Sequence, residues 1–188
     1  MFTEPHIQGN KKGWIEVICG PMFSGKTEEL IRRIRRAQIA DMKVAIFKPV
    51  IDSRYHSTDI VSHNDTNISA LPVETSPEII TLAAGSEVVA IDEAQFFDAA
   101  LTSVCEALAL SGTRVILAGL DTDFQGKPFG PMPHLLCIAE HITKLKAICV
   151  KCGDPASRTF RKNASAETLL LGSQDLYEAR CRSCFSKG

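Results

Sequence analysis

Three groups of residues in this chain have the types and spacing to do chemistry. Gly20-Pro21-Met22-Phe23-Ser24-Gly25-Lys26-Thr27 fits the phosphate-binding pattern G-x-x-x-x-G-K-[ST] without a mismatch. Glycines let a backbone wrap an anion, and the amides opening the next helix point into the wrap. Lys26 then reaches the outer phosphates of a nucleotide, and the Thr27 hydroxyl binds Mg²⁺. The second group, Ile91-Asp92-Glu93-Ala94-Gln95, ends an apolar run in acid. Asp92 is placed to orient Mg²⁺. Glu93, beside the terminal phosphate, suits accepting a proton from an attacking hydroxyl or water. The third group is two C-x-x-C pairs, Cys149 with Cys152 and Cys181 with Cys184, with 28 residues between them. Four thiolates complete a tetrahedron, and such a closed site holds zinc for structure rather than catalysis.

These groups need elements to position them. Trp14-Ile15-Glu16-Val17-Ile18-Cys19 reads as a buried strand before the glycine loop, and residues 28–40 as the helix after it. Strands are expected over 43–48, stopped by Pro49, and over 88–91 and 114–119. Ser76 reads as an N-cap with Pro77 opening a short helix that ends near Gly85. Leu101, Val104, Cys105, Leu108 and Ala109 set a helix over 99–111. Residues 50–68 are polar and expected to be irregular. Alternating apolar strands and helices imply an α/β fold, a mostly parallel sheet with helices on both faces. Ligands in such sheets bind at the carboxyl ends of the strands. The phosphate loop, Asp52, Asp92 and Asp121 all follow strand ends and can converge. A zinc at the four cysteines would anchor the chain between them as a loop able to close over a small ligand. Cys19, Cys105 and Cys137 sit in apolar stretches and are expected in the core.

A chain of 188 residues, 45% of them apolar, suits one globular domain with a small appendage. A net charge of −1 makes no case for a nucleic-acid surface. The basic cluster Arg32, Arg33, Arg35 and Arg36 reads as the solvated or subunit-facing side of its helix. No apolar run has the length of a membrane span, and Met1-Phe2-Thr3-Glu4-Pro5-His6 lacks signal-peptide character, so a cytoplasmic protein with reduced thiols is expected. The Asp-Glu-Ala-Gln strand end also occurs in motor ATPases. From these residues a nucleic-acid-stimulated ATPase with a zinc ribbon, or a nucleotide sensor, stays open beside a kinase.

The motifs together resemble the zinc-containing (type II) thymidine kinases. The resemblance rests on the glycine loop, Asp52-Ser53-Arg54-Tyr55, Ile91 through Phe97, and Leu120-Asp121 with Phe124 through Gly130. Both cysteine pairs and Tyr177-Glu178-Ala179-Arg180-Cys181 extend it, so that it runs from about Trp14 to Cys184. It implies a RecA-like P-loop kinase domain over 14–145, a zinc-anchored lasso over 146–188 that closes on the nucleoside, and an extension over 1–13. It implies transfer of the γ-phosphoryl of ATP to the 5′-hydroxyl of thymidine, and of deoxyuridine, with Glu93 as general base. Asp52, Arg54 and Gln95 would join the loop and Asp92 in holding Mg-ATP. Met22, Phe96, Leu120, Phe124 and Phe129 would line the base pocket. Thr168, Leu169, Leu170, Leu171, Gly172 and Tyr177 would meet the thymine. A homotetramer inhibited by thymidine triphosphate (dTTP), with no nucleic-acid or membrane partner, completes the expectation.

Overall fold

The structure is a computed structural model that describes residues 12–51, 59–61, 67–162 and 176–188, with side chains for all but 59–61 and 67. Asp52, Arg54 and the stretch from Thr168 to Gly172 lie outside these residues.

β1 (Trp14–Cys19) is buried at every position. It leads through the glycine loop into α1 (Lys26–Ile39), and β2 (Val44–Pro49) follows. Inside the segment expected to be irregular, β3 (Asp59–Val61) and β4 (Asn67–Ser69) pair antiparallel. β5 (Leu71–Val73) precedes α2 (Glu78–Leu82). Ser76 does not cap α2 with its side chain. Instead the Glu78 carboxylate accepts from both the backbone N–H and the hydroxyl of Thr75, at 2.8 and 2.7 Å. β6 (Val88–Ile91), a single 3₁₀ turn at Ala94–Phe96, α3 (Leu101–Leu110) and β7 (Arg114–Gly119) come next. α4 (Met132–Ile138) and β8 (His141–Lys144) close the unit.

Six of the described strands form one parallel sheet in the order β5-β2-β6-β7-β1-β8. The four central strands are those expected from the sequence. The two edges were not expected. β5 contains Pro72, which an edge strand tolerates, and β8 alternates half-buried with exposed residues and so lacks an apolar run. Ile15, Val17 and Cys19 of β1 point to a core shared with α3 and α4, and Ile18 points to a core shared with Leu30, Ile31, Ile34 and Ala37 of α1. The period of two along a strand thus packs both faces of the sheet.

Glu16 lies on the α1 side of β1, fully buried. A charge there requires partners. Arg33 Nη1 and Arg114 Nε donate to its carboxylate, each at 2.7 Å, and so does Trp14 Nε1 at 2.7 Å. Arg33 also reaches Glu29 at 2.9 Å and Thr143 Oγ1 at 2.8 Å. Arg33 is therefore not on a solvated face as the basic cluster suggested. It is fully buried and ties α1 to β1 and β8, while Arg32, Arg35 and Arg36 are exposed.

The described residues after β8 form small pieces around the cysteines. β9 (Ala147–Ile148) pairs with β10 (Pro155–Ala156), and β11 (Arg158–Arg161) pairs with β12 (Tyr177–Arg180), both antiparallel. α5 (Arg182–Ser186) ends the module.

Candidate active site

The glycine loop begins where β1 leaves the sheet. Gly20 sits at φ 147°, and a Cβ there would stand 2.5 Å from the Leu145 carbonyl oxygen. Only glycine fits. The loop then closes on itself, with Ser24 Oγ and Lys26 Nζ both donating to the Pro21 carbonyl at 2.8 and 2.9 Å. Thr27 Oγ1 lies 3.5 Å from Asp92 Oδ2, which follows β6. An ammonium, a hydroxyl and a carboxylate thus meet at the start of a helix, the set that a nucleotide with Mg²⁺ requires. At the root of the loop, burial and then the Asp121 charge push the Cys19 thiol up to about 11, against Lys144 and Lys26. Asp121 itself is buried and ion-paired to Lys144 at 2.7 Å.

Glu93 adopts a left-handed conformation, φ 50° and ψ 41°. Such backbone costs a non-glycine residue about 1–3 kcal/mol and gathers at functional sites. Several contacts hold it. Glu93 N–H donates to Asp92 Oδ1 at 2.9 Å, and Gln95 Nε2 donates to Glu93 Oε2. Gln95 Oε1 in turn accepts from Leu120 N–H at 2.9 Å. Gln95 is 2% exposed, so this amide is a fixed bridge between the two strand ends. Gly130, at φ 49°, brings the next loop so near that a Cβ would stand 2.2 Å from the Gln95 carbonyl. That approach sets Phe129 edge-on to Phe96, ring centroids 5.6 Å apart. Phe97 turns into the core, while Phe96 stays half-buried.

The cysteine module packs beside the same loops. Met22 N–H donates to Thr159 Oγ1 of β11 at 3.0 Å. The Arg161 guanidinium lies 3.6 Å over the Phe124 ring and donates to the Tyr177 hydroxyl at 2.9 Å. Tyr177 is 7% exposed. The described residues therefore join Glu93, Gln95 and Leu120 in one chain of contacts, Phe96 with Phe129 in a second, and Phe124 with Tyr177 through Arg161 in a third. A cavity of about 420 Å³ bordered by Glu87, Ser111 and Thr113 lies instead at the amino ends of β6 and β7, away from this chemistry.

Cys149, Cys152, Cys181 and Cys184 bring their sulfurs within 4.8 Å of one another, and Cys152 and Cys181 are 3.7 Å apart. Sulfurs about 2.3 Å from one zinc in a tetrahedron stand about 3.8 Å apart, so the set fits that metal.

The family model described as thymidine kinase matches residues 13–185. The chain belongs to the thymidine kinase family. It is 54% identical over 187 residues to the thymidine kinase of Rhodothermus sp. (strain ITI 518), covering 98% of this chain and 88% of that one. It is 53% identical over 188 residues to that of Bacteroides fragilis (strain YCH46), covering 100% and 94%. Among solved structures, the Legionella pneumophila ATPase DotB aligns with 69% of this chain and 35% of its own, at 19% identity and a TM-score of 0.42, too loose to add to the topology. Thymidine kinases are ATP-dependent transferases, and the parallel sheet with its phosphate loop is the fold such an enzyme needs. The four-cysteine cluster agrees with the zinc-containing type of thymidine kinase. Among the described residues no helix is long and apolar enough to cross a membrane.

Two side chains at the site, both in the loop interior between the cysteine pairs, had no role assigned from the sequence. Arg161 and Thr159 work through β11, whose partner β12 stands at the far end of the segment between the two cysteine pairs, and no local spacing marks them. Cys137 corrects an expectation: it is exposed on α4, whereas Cys19 and Cys105 are in the core.

Proposed function

We propose that this thymidine kinase moves the γ-phosphoryl of ATP onto the 5′-hydroxyl of thymidine with Glu93 as the general base. The observation that carries this is the Gln95 bridge. It fixes a carboxylate in strained backbone beside the Lys26, Thr27 and Asp92 cluster, with one oxygen occupied by an amide N–H. The other oxygen can take the 5′-hydroxyl proton as the oxygen attacks phosphorus and the bond to ADP breaks. Lys26 stabilises the charge on the phosphoryl oxygens in transit, and the loop amides from Ser24 to Thr27 hold the β-phosphate side. Thr27 and Asp92 would hold Mg²⁺, which neutralises the phosphates when bound. Cys149, Cys152, Cys181 and Cys184 would hold a zinc that cross-links the module 146–188.

On the nucleoside side we assign Met22, Phe96, Leu120, Phe124 and Phe129 to the walls for the flat base, with Tyr177 and the stretch from Thr168 to Gly172 at its edge. Asp52 and Arg54 are assigned to the phosphates. Deoxyuridine as a second substrate, feedback by dTTP, a homotetramer and a cytoplasmic location belong to the same proposal, on family resemblance. The test is ATP turnover with thymidine, deoxyuridine, deoxycytidine, single-stranded DNA or no acceptor. Turnover that needs thymidine and forms thymidine monophosphate in step supports the assignment. Turnover driven by DNA and indifferent to nucleosides overturns it.

A further inference from the structure

Phe23 occupies a position the phosphate-loop pattern leaves open, yet it sits at φ 65°. That conformation is an outlier for a bulky side chain, and glycine would take it freely. The backbone gives no reason for an aromatic residue here; the side chain does. Phe23 packs against the apolar cluster of Ala147, Cys149, Ala156 and Ala179, against which Cys181 and Cys184 also pack. Its neighbour in the loop faces the same way. Met22 N–H donates to Thr159 Oγ1 of β11 at 3.0 Å. Met22 and Phe23 of the phosphate loop thus rest on the cysteine module, while its later residues run into α1.

We propose that Phe23 is a positioning residue that couples the phosphate loop to the four-cysteine centre. The metal-closed module holds the loop in its phosphate-binding shape, and a nucleotide in the loop holds the module closed on its metal. The proposal rests on the nucleotide and zinc assignments above. Coupling of this kind is reciprocal, so each ligand strengthens the other by the same factor, about 5- to 150-fold in most systems.

The test uses the zinc-loaded full chain with ADP as the probe. Zinc affinity is measured by equilibrium competition with a chromophoric chelator, with and without saturating ADP, and ADP affinity is measured by calorimetry. In the unsubstituted protein ADP tightens zinc binding about tenfold. In Phe23→Ala the protection drops below about twofold and the ADP Kd rises about tenfold. Phe23→Gly behaves like Phe23→Ala, and Phe23→Leu restores most of the effect. Zinc affinity indifferent to ADP overturns the coupling, and this arm needs no variant to fold. So does Phe23→Ala with full ADP affinity, or Phe23→Gly with full protection, which would assign the effect to backbone strain. A chain that binds no ADP or carries no zinc overturns the assignments beneath. ADP bound and zinc present without mutual effect overturns the coupling alone.

Discussion

Replacing Arg33 by methionine removes one guanidinium from a buried network and leaves most of the side-chain volume. Arg33 is fully buried and makes charge-assisted or polar contacts to Glu16, Glu29 and Thr143. Removing one partner of a buried pair costs about 3–5 kcal/mol, because the remaining charge stays out of water. Here Glu16 keeps Arg114, at 2.7 and 3.3 Å, and the Trp14 N–H. The loss therefore falls at the low end, about 3 kcal/mol. For a chain of this size that is a fall in melting temperature of about 6–12 °C. Arg32 is the control. It pairs with the same Glu29 at 2.6 Å, but its side chain is 44% exposed. Arg32→Ala costs less than about 1 kcal/mol. Urea unfolding of the zinc-loaded protein at pH 7 reads both. Glu29 also sets a sign. Hydrogen bonds from Arg32, and then Arg33, hold its carboxyl below the ordinary 4.5, so its contribution is present above that pH and fades as pH falls further. If Arg33→Met is no more harmful than Arg32→Ala, the buried network does not hold α1 to the sheet.

Gln95→Ala takes the donor from Glu93 and the acceptor from the Leu120 N–H, and kcat with thymidine should fall on the order of 10- to 100-fold in steady-state assays while the fold persists. The protein purified without added metal should carry about one zinc per chain, and Cys184→Ser should lose it, as measured by atomic absorption and near-UV circular dichroism. Iodoacetamide at pH 7.5 should label Cys137 and spare Cys19, and mass spectrometry of the tryptic peptides checks the order. Because the Cys19 thiol is raised from 9.0 to about 11, the folded form keeps a proton that the unfolded form loses. Its contribution to stability is complete below pH 9 and declines from there to about pH 11, an alkaline slope that urea titration reads directly.

The strand, glycine loop and helix could be read from sequence because their spacing is strict and their flanks apolar. Glu93 could be found as an acid at a strand end, but not the left-handed backbone that aims it or the Gln95 bridge behind it. Arg33 misled because four arginines within five residues look like a solvated face. The missing signal was Glu16, an acid inside a strand that is otherwise apolar and therefore in need of a buried cation. β8 was hidden because an edge strand half-open to solvent has no apolar run, and β5 because proline looks like a stop. The four cysteines were legible as a set, since a metal fixes ligand type and spacing more tightly than packing does. Arg161 was not, because its role depends on the pairing of two strands that lie at opposite ends of the stretch between the cysteine pairs.

The most direct measurement is formation of thymidine monophosphate from ATP and thymidine by the unsubstituted chain and by Glu93→Gln, with ADP and thymidine affinities measured on both. With Glu93 as the base, the unsubstituted chain makes one thymidine monophosphate per ATP consumed. Glu93→Gln binds both ligands and loses about 10²- to 10⁴-fold in kcat. Undiminished turnover in Glu93→Gln, or ATP consumption without thymidine monophosphate, would contradict it.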